Sequence, residues 1–121
     1  MERRFRLTRT IEFKRVRDEG KSYAHPLVVL VVSPSQLDHP RIGVTASHNM
    51  GGAVQRNRSK RLLREAVRSF IPTLLPAHII LIARTPLASA NLDETRQALE
   101  QLFNKAKLLS NQHEPKARIA P

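Results

Sequence analysis

The chain has 121 residues, a mass of 13.7 kDa, 21 Lys+Arg against 10 Asp+Glu, a formal net charge of +11, 40% hydrophobic residues and no cysteine. That length and apolar fraction fit one small domain with a core and exclude a fully disordered chain. The lack of cysteine excludes a disulfide scaffold, a thiolate zinc site and a Cys nucleophile, and the longest aliphatic run, Leu27–Val32, is far short of the roughly 20 residues of a membrane span.

The chain opens on Arg3, Arg4, Arg6 and Arg9, with no apolar segment after them of the kind a secretory signal needs. Thr8 or Thr10 can cap a helix that runs to about Glu19 and stops at Gly20. Ser22–Ala24 makes a short strand. Leu27–Val32, bounded by Pro26 and Ser33-Pro34, is β-branched and wholly apolar, a strand buried on both faces. A turn over Gln36–Pro40 leads to a third strand, Arg41–Ser47. Gly51-Gly52 breaks the chain before a helix from about Ala53 to Phe70. Pro72 and Pro76 enclose a loop, and His78–Arg84 is a fourth strand. Asn91 caps a last helix, with Glu94 in the capping-box position. The predicted fold class is α/β (α+β): a two-layer sandwich of order α-β-β-β-α-β-α around a small four-stranded mixed sheet, most of its pairs antiparallel. Residues 1–109 form a single domain, and 110–121, rich in polar residues and proline, form a flexible C-terminal tail.

Charge is not spread evenly: residues 1–70 hold 15 Lys+Arg and 6 Asp+Glu, whereas 71–121 hold 6 and 4. The second helix concentrates it. At 100° per residue, Leu62, Leu63, Ala66, Val67 and Phe70 form a core-facing stripe. Asn57, Arg61, Arg64 and Arg68 fall within about 60° of one another on the opposite side, flanked by Lys60 and Arg58. Glu65 is the helix's sole acid. A solvated helix face ordinarily mixes signs and gains from i,i+4 pairs. Here Arg61, Arg64 and Arg68 repel one another, a cost that an external polyanion offsets. Arg outnumbers Lys 15 to 6 in the chain, and guanidinium binds phosphate bidentately and stacks on bases. Asn57 suits either a base edge or 2′-hydroxyl, or a local hydrogen bond at the helix start. Arg56 points toward the core side of the helix and lies in its first turn.

The string Gly52-Ala53-Val54-Gln55-Arg56-Asn57-Arg58-Ser59-Lys60-Arg61-Leu62-Leu63-Arg64-Glu65-Ala66 closely resembles the signature helix of the protein component of bacterial ribonuclease P. Phe13-Lys14-Arg15-Val16 with Gly20, Arg41–Ser47 and Ile79–Arg84 are similar to that family's first helix, central strand and last strand, so the resemblance covers about residues 5–109. It implies a cytoplasmic subunit with no obligate protein partner, bound to ribonuclease P RNA and to precursor tRNA. The RNA removes the 5′ leader with Mg2+ that it holds mainly itself, and this chain supplies no catalytic residue. The resemblance also implies a left-handed βαβ crossover through the signature helix, against the usual hand. It assigns RNA binding to Arg56, Asn57, Arg58, Lys60, Arg61 and Arg64, and helical spacing adds Arg68 as an extension of the same ridge. It places a cleft for the single-stranded leader at Arg9, Phe13, Arg17, Leu30, Thr45, Ser47 and His48.

Spacing alone puts Arg9, Phe13 and Arg17 on one stripe of the first helix, an aromatic between two cations. Phe13 serves equally well as a core residue. This chain has Arg17 and Leu30 where the family can carry aromatics, so leader contacts here lean more on charge and less on stacking; it also has Ser47-His48-Asn49 where the family favours Ser-Lys-Lys, which removes two cations at neutral pH. His48 restores one cation when protonated; an ordinary exposed loop histidine is the simpler description. Among rival functions, an enzyme acting alone lacks a motif, since His25, His39, His48, His78 and His113 show no ligand spacing, carboxylates are few, and Asp18-Glu19 and Asp93-Glu94 sit at helix ends. A membrane-surface helix lacks aromatic anchors. Another RNA-binding module, such as a ribosomal protein, remains the alternative, because the phosphate contribution to binding is blind to sequence.

Overall fold

The computed structural model describes residues 2–110. Helix α1 spans Thr10–Glu19, strands β1, β2 and β3 span Lys21–Ala24, Val28–Ser33 and Arg41–Ala46, helix α2 spans Ala53–Arg68, strand β4 spans His78–Ala83, and helix α3 spans Leu92–Lys105. A short 3-10 turn at Arg3–Phe5 precedes α1, and others at Ile71–Thr73 and Thr85–Ser89 lie between α2 and β4 and between β4 and α3. The four strands form one mixed sheet in the order β1-β2-β4-β3. β2 pairs antiparallel with β1 and with β4, while β3 pairs parallel with β4, the two being linked through α2.

Helices cover both faces of this sheet, and strand alternation sorts the side chains between them. Val28, Leu30, Ile42, Ile79, Leu81 and Ala83 pack against Leu63, Ala66 and Val67 of α2 and Leu99, Leu102 and Phe103 of α3. On the other face, Val31 and Ile80 meet Val16 and Phe13 of α1, and Leu7 closes that smaller core. The α2–α3 layer and the sheet make up the expected sandwich, and α1 adds cover on the far side. That is why β2 and β4 are apolar at nearly every position rather than at alternate ones.

The boundaries shift where tertiary pairing outranks local signals. Neither Thr8 nor Thr10 caps α1; the N-cap position falls to Arg9, which makes no side-chain cap bond. The reason lies just upstream: Leu7 is buried and its N–H donates to Ile42 O at 2.9 Å, pinning the segment as an extra edge partner of β3. α2 ends at Arg68 rather than Phe70, since Pro72 forbids a further helical turn. The α3 cap forms as its sequence requires: Glu94 N–H donates to Asn91 Oδ1 at 2.8 Å, and Asn91 N–H donates to Glu94 Oε1 at 2.9 Å. At the other end Lys107 takes φ 58°, and Leu108 N–H reaches Phe103 O at 2.9 Å, a Schellman closure. Ser110 N–H donates to Thr73 O at 2.7 Å, so the packed chain reaches one residue past the expected boundary; the rest of the expected tail lies outside the described residues.

Candidate nucleic-acid interface

α2 buries Ser59, Leu63, Ala66 and Val67 and turns Asn57, Arg61, Arg64 and Arg68 outward, as its periodicity requires. Its start is set by Gly51, whose φ of +25° disfavours other residues, and by Gln55, whose Oε1 accepts Gly52 N–H at 3.0 Å. Ion pairs among the described residues join Arg4 to Glu2, Lys14 to Asp18, His39 to Asp38, Arg41 to Glu12 and Arg68 to Glu65. Arg56, Lys60, Arg61 and Arg64 therefore have no acidic partner among the described residues. On the outer face of α2, Arg61 and Arg64 are exposed cations with no acid beside them among the described residues, and Arg68 is paired with Glu65.

Two residues of that face are engaged within the protein. Arg68 Nη2 lies 2.8 Å from Glu65 Oε2, so its charge is shared. Arg58 departs further from expectation. Its Nη1 donates to Ala88 O at 3.0 Å and its Nη2 to Ala90 O at 3.4 Å, tying α2 to the 3-10 turn that precedes α3. Its position at the flank of the cationic face brings it over that turn, whose carbonyls are the available acceptors. In this geometry Arg58 is a structural clamp.

Grooves run from the ends of β3 to its neighbours. Thr45, Ala46, His48, Arg56 and Lys60 line one of about 230 Å³. The loop histidine thus stands with two cations of the helix instead of alone. A second groove, of about 400 Å³, lies between Arg6 and Thr8 on the N-terminal side, Phe13 and Val44, and Arg64 of α2. A third, of about 390 Å³, sits on α1 between Phe13, Lys14 and Arg17. Phe13 borders both of the latter while packing on the α1-side core. It lies directly over Gly43, where an added Cβ would come within 2.8 Å of its ring. β3 is an edge strand, and its outer side is bridged by the N-terminal segment at Ile42.

Three expected cleft residues lie elsewhere. Leu30 is fully buried in the core beneath α2 and α3, on the face away from α1. Side chains alternate along a strand, so its neighbours Val29 and Val31 face α1 in its place. Arg9 is exposed at the N-cap of α1 and lines none of these three grooves. Ser47 shapes the turn after β3, its Oγ accepting Asn49 N–H at 3.3 Å. Conversely, Arg6, Thr8 and Val44 enter the second groove, although nothing in their local spacing marks them. The long-range bridge of Arg6 to Ile42 brings Arg6 and Thr8 there, beside Val44 of β3.

Among the described residues no three His, Asp or Glu side chains gather closely enough to hold a metal ion. No helix of the described residues is long and apolar enough to cross a membrane.

A family model described as Ribonuclease P matches residues 1–107. The chain is 35% identical to the ribonuclease P protein component of Herpetosiphon aurantiacus, over 95% of this chain and 94% of that protein. It is also 35% identical to the corresponding protein of an Exiguobacterium strain, over 93% and 98%. Its fold matches the RNase P protein of Staphylococcus aureus with a TM-score of 0.78 at 30% identity, covering 87% of this chain and 97% of that one. The RNase P protein of Thermotoga maritima matches with a TM-score of 0.74 at 26% identity, covering 83% and 96%.

Proposed function

The chain belongs to the ribonuclease P protein family, the protein component of a tRNA-processing endoribonuclease, and from that premise we propose how it works: it grips the ribonuclease P RNA and the 5′ leader of precursor tRNA, and the RNA cuts. The observation that carries this is the strip on α2, where Arg56, Lys60, Arg61 and Arg64 find no acid among the described residues. Phosphates neutralise these cations and release condensed counterions. Asn57, exposed beside Arg61, makes the directed contact to a base edge or 2′-hydroxyl.

The leader lies along the β3 edge in this reading. His48, Arg56 and Lys60 hold phosphates at one end, and Phe13 offers a ring to a base at the other, with Arg64 beside it. Arg17 extends the path along α1. Magnesium is assigned to RNA phosphates, and the chain contributes positive charge and fixed geometry around them. The work takes place in the cytoplasm. A ribosomal-protein role is disfavoured by a family match that runs through almost the whole chain.

Reconstitution tests the proposal. Bacterial ribonuclease P RNA and precursor tRNA are mixed at low magnesium, with and without the protein, and correct 5′ ends are scored. The protein is expected to raise cleavage strongly, and alone to cut nothing. Equal cleavage with and without it would overturn the reading. Arg61→Ala and Arg64→Ala should each lower the slope of log affinity against log salt by about one.

A further inference from the structure

Arg4 is absent from every role described so far, yet the fold sets it across a groove from the end of α2. Leu7 and Arg6 run along β3 at Ile42, and this carries the preceding turn, Arg3–Phe5, toward the C-terminal end of α2. Arginines then face each other across two consecutive grooves. Arg6 opposes Arg64 in the groove already described. One helical turn further on, Arg4 opposes Arg68 across a separate groove of about 470 Å³, with Glu2, Phe5, Ile71 and Pro72 completing its walls. That volume falls within the range of about 300–1,000 Å³ typical of small-ligand sites.

The second groove combines a flat aromatic surface, an apolar floor and cations on both sides. Phe5 is half-buried, its ring 5.7 Å from His39 in an edge-on contact and 4.6 Å from the Arg4 guanidinium. Two acids counter the arginines: Glu2 lies 3.4 Å from Arg4, and Glu65 lies 2.8 Å from Arg68. Both pairs are exposed, and exposed ion pairs exchange readily for a phosphate. A guanidinium stacked on a ring next to an open apolar wall is an arrangement suited to a nucleobase, which joins or replaces the cation on the ring.

We propose that the groove between the N-terminal turn and the end of α2 binds an unpaired nucleotide of the RNA, its base against Phe5, Ile71 and Pro72 and its phosphates between Arg4 and Arg68. This rests on the RNA-binding reading of α2 and adds a site beyond both the strip and the β3 edge. RNA tracking along α2 from Arg61 passes Arg64 and Arg6, then arrives at Arg68 and Arg4, so the strip and the site form one path.

The test titrates fluorescently labelled ribonuclease P RNA with the full chain at several salt concentrations. Arg4→Ala, Phe5→Leu and Phe5→Trp are compared with Arg61→Ala. Thermal melts check that each variant is folded, and Leu keeps the apolar bulk where Ala would leave a hole. Arg4→Ala is expected to lower the salt slope by about one. Phe5→Leu should weaken binding about 5- to 160-fold at fixed salt, the range for losing one stacked base, and Phe5→Trp should restore it. The site is overturned if a folded Arg4→Ala keeps the wild-type slope or a folded Phe5→Leu keeps the wild-type affinity. Arg61→Ala separates the two readings. If it lowers the slope while the N-terminal variants do nothing, the strip stands without the groove. If it too has no effect, the reading of α2 itself has failed.

Discussion

Arg58 and Arg61 stand three residues apart on the same helix, and their surroundings separate them. Arg58 commits its guanidinium to the carbonyls of Ala88 and Ala90, whereas Arg61 has no acidic partner among the described residues. Arg58→Ala leaves those two carbonyls without their donor and frees the turn before α3. It should cost about 1 kcal/mol and lower the Tm by about 3–6 °C. Arg61→Ala should change stability by no more than about 0.5 kcal/mol and show its effect only in RNA affinity. Paired melting and binding curves check both, and a thermally silent Arg58→Ala would remove the clamp. A second residue-scale consequence concerns pH. His78 begins β4 beside α1, where burial, then Arg15 and Arg41, hold its imidazole below the ordinary value of 6.5, with Glu12 pulling the other way. The unfolded chain therefore takes up the proton first. His78 contributes stability in full above pH 6.5, and that contribution is lost as pH falls through 6.5 toward the lower folded value. The Tm of the wild type should drop more between about pH 7.5 and 5 than that of His78→Asn; equal drops would contradict this assignment.

At the scale of elements, α1 and β3 meet where a side chain is missing. Gly43 sits opposite Ile80 in the parallel register, and Phe13 of α1 fills the space above it. An alanine there collides with the ring, its Cβ falling 2.8 Å from Cε1 and 2.9 Å from Cε2. Gly43→Ala should cost about 1–3 kcal/mol and displace Phe13, the ring shared by two of the grooves. A leader-bearing precursor should then lose more affinity than a leaderless one; equal loss would mean that Phe13 serves only the core. Legibility in the sequence differs from element to element. The two faces of α2 follow from a 100° repeat that needs no partner, and β2's unbroken apolar run implies cover on both sides. The α3 cap is likewise local, since Asn91 and Glu94 bond each other. Family likeness assigns Leu30 to the cleft, but facing depends on register, and β2's register sets it toward α2 and α3. The Arg58 clamp and the Arg6–Ile42 bridge join residues about 30 or more positions apart. The 3-10 turns that align them carry no hydrophobic period.

For the molecule as a whole, the same charges act in two opposed ways. A net charge of +11 on 121 residues repels itself, most strongly where α2 and the N-terminal turn bring arginines together. Added salt screens that repulsion, with a Debye length falling from about 10 Å at 0.1 M to about 3 Å at 1 M. The free protein's Tm should therefore rise as NaCl is added. RNA affinity should fall over the same range, because counterion release is its main drive. Bound RNA should stabilise the fold in its own right, by about 2.7 kcal/mol when free RNA is at 100 times its Kd, and this increment should shrink as salt rises. Melting curves with and without RNA across one salt series would therefore converge from above and below. A free-protein Tm that stays flat or falls with NaCl would show that the arginines are not under mutual strain. The cationic strip would then need no polyanion to account for it.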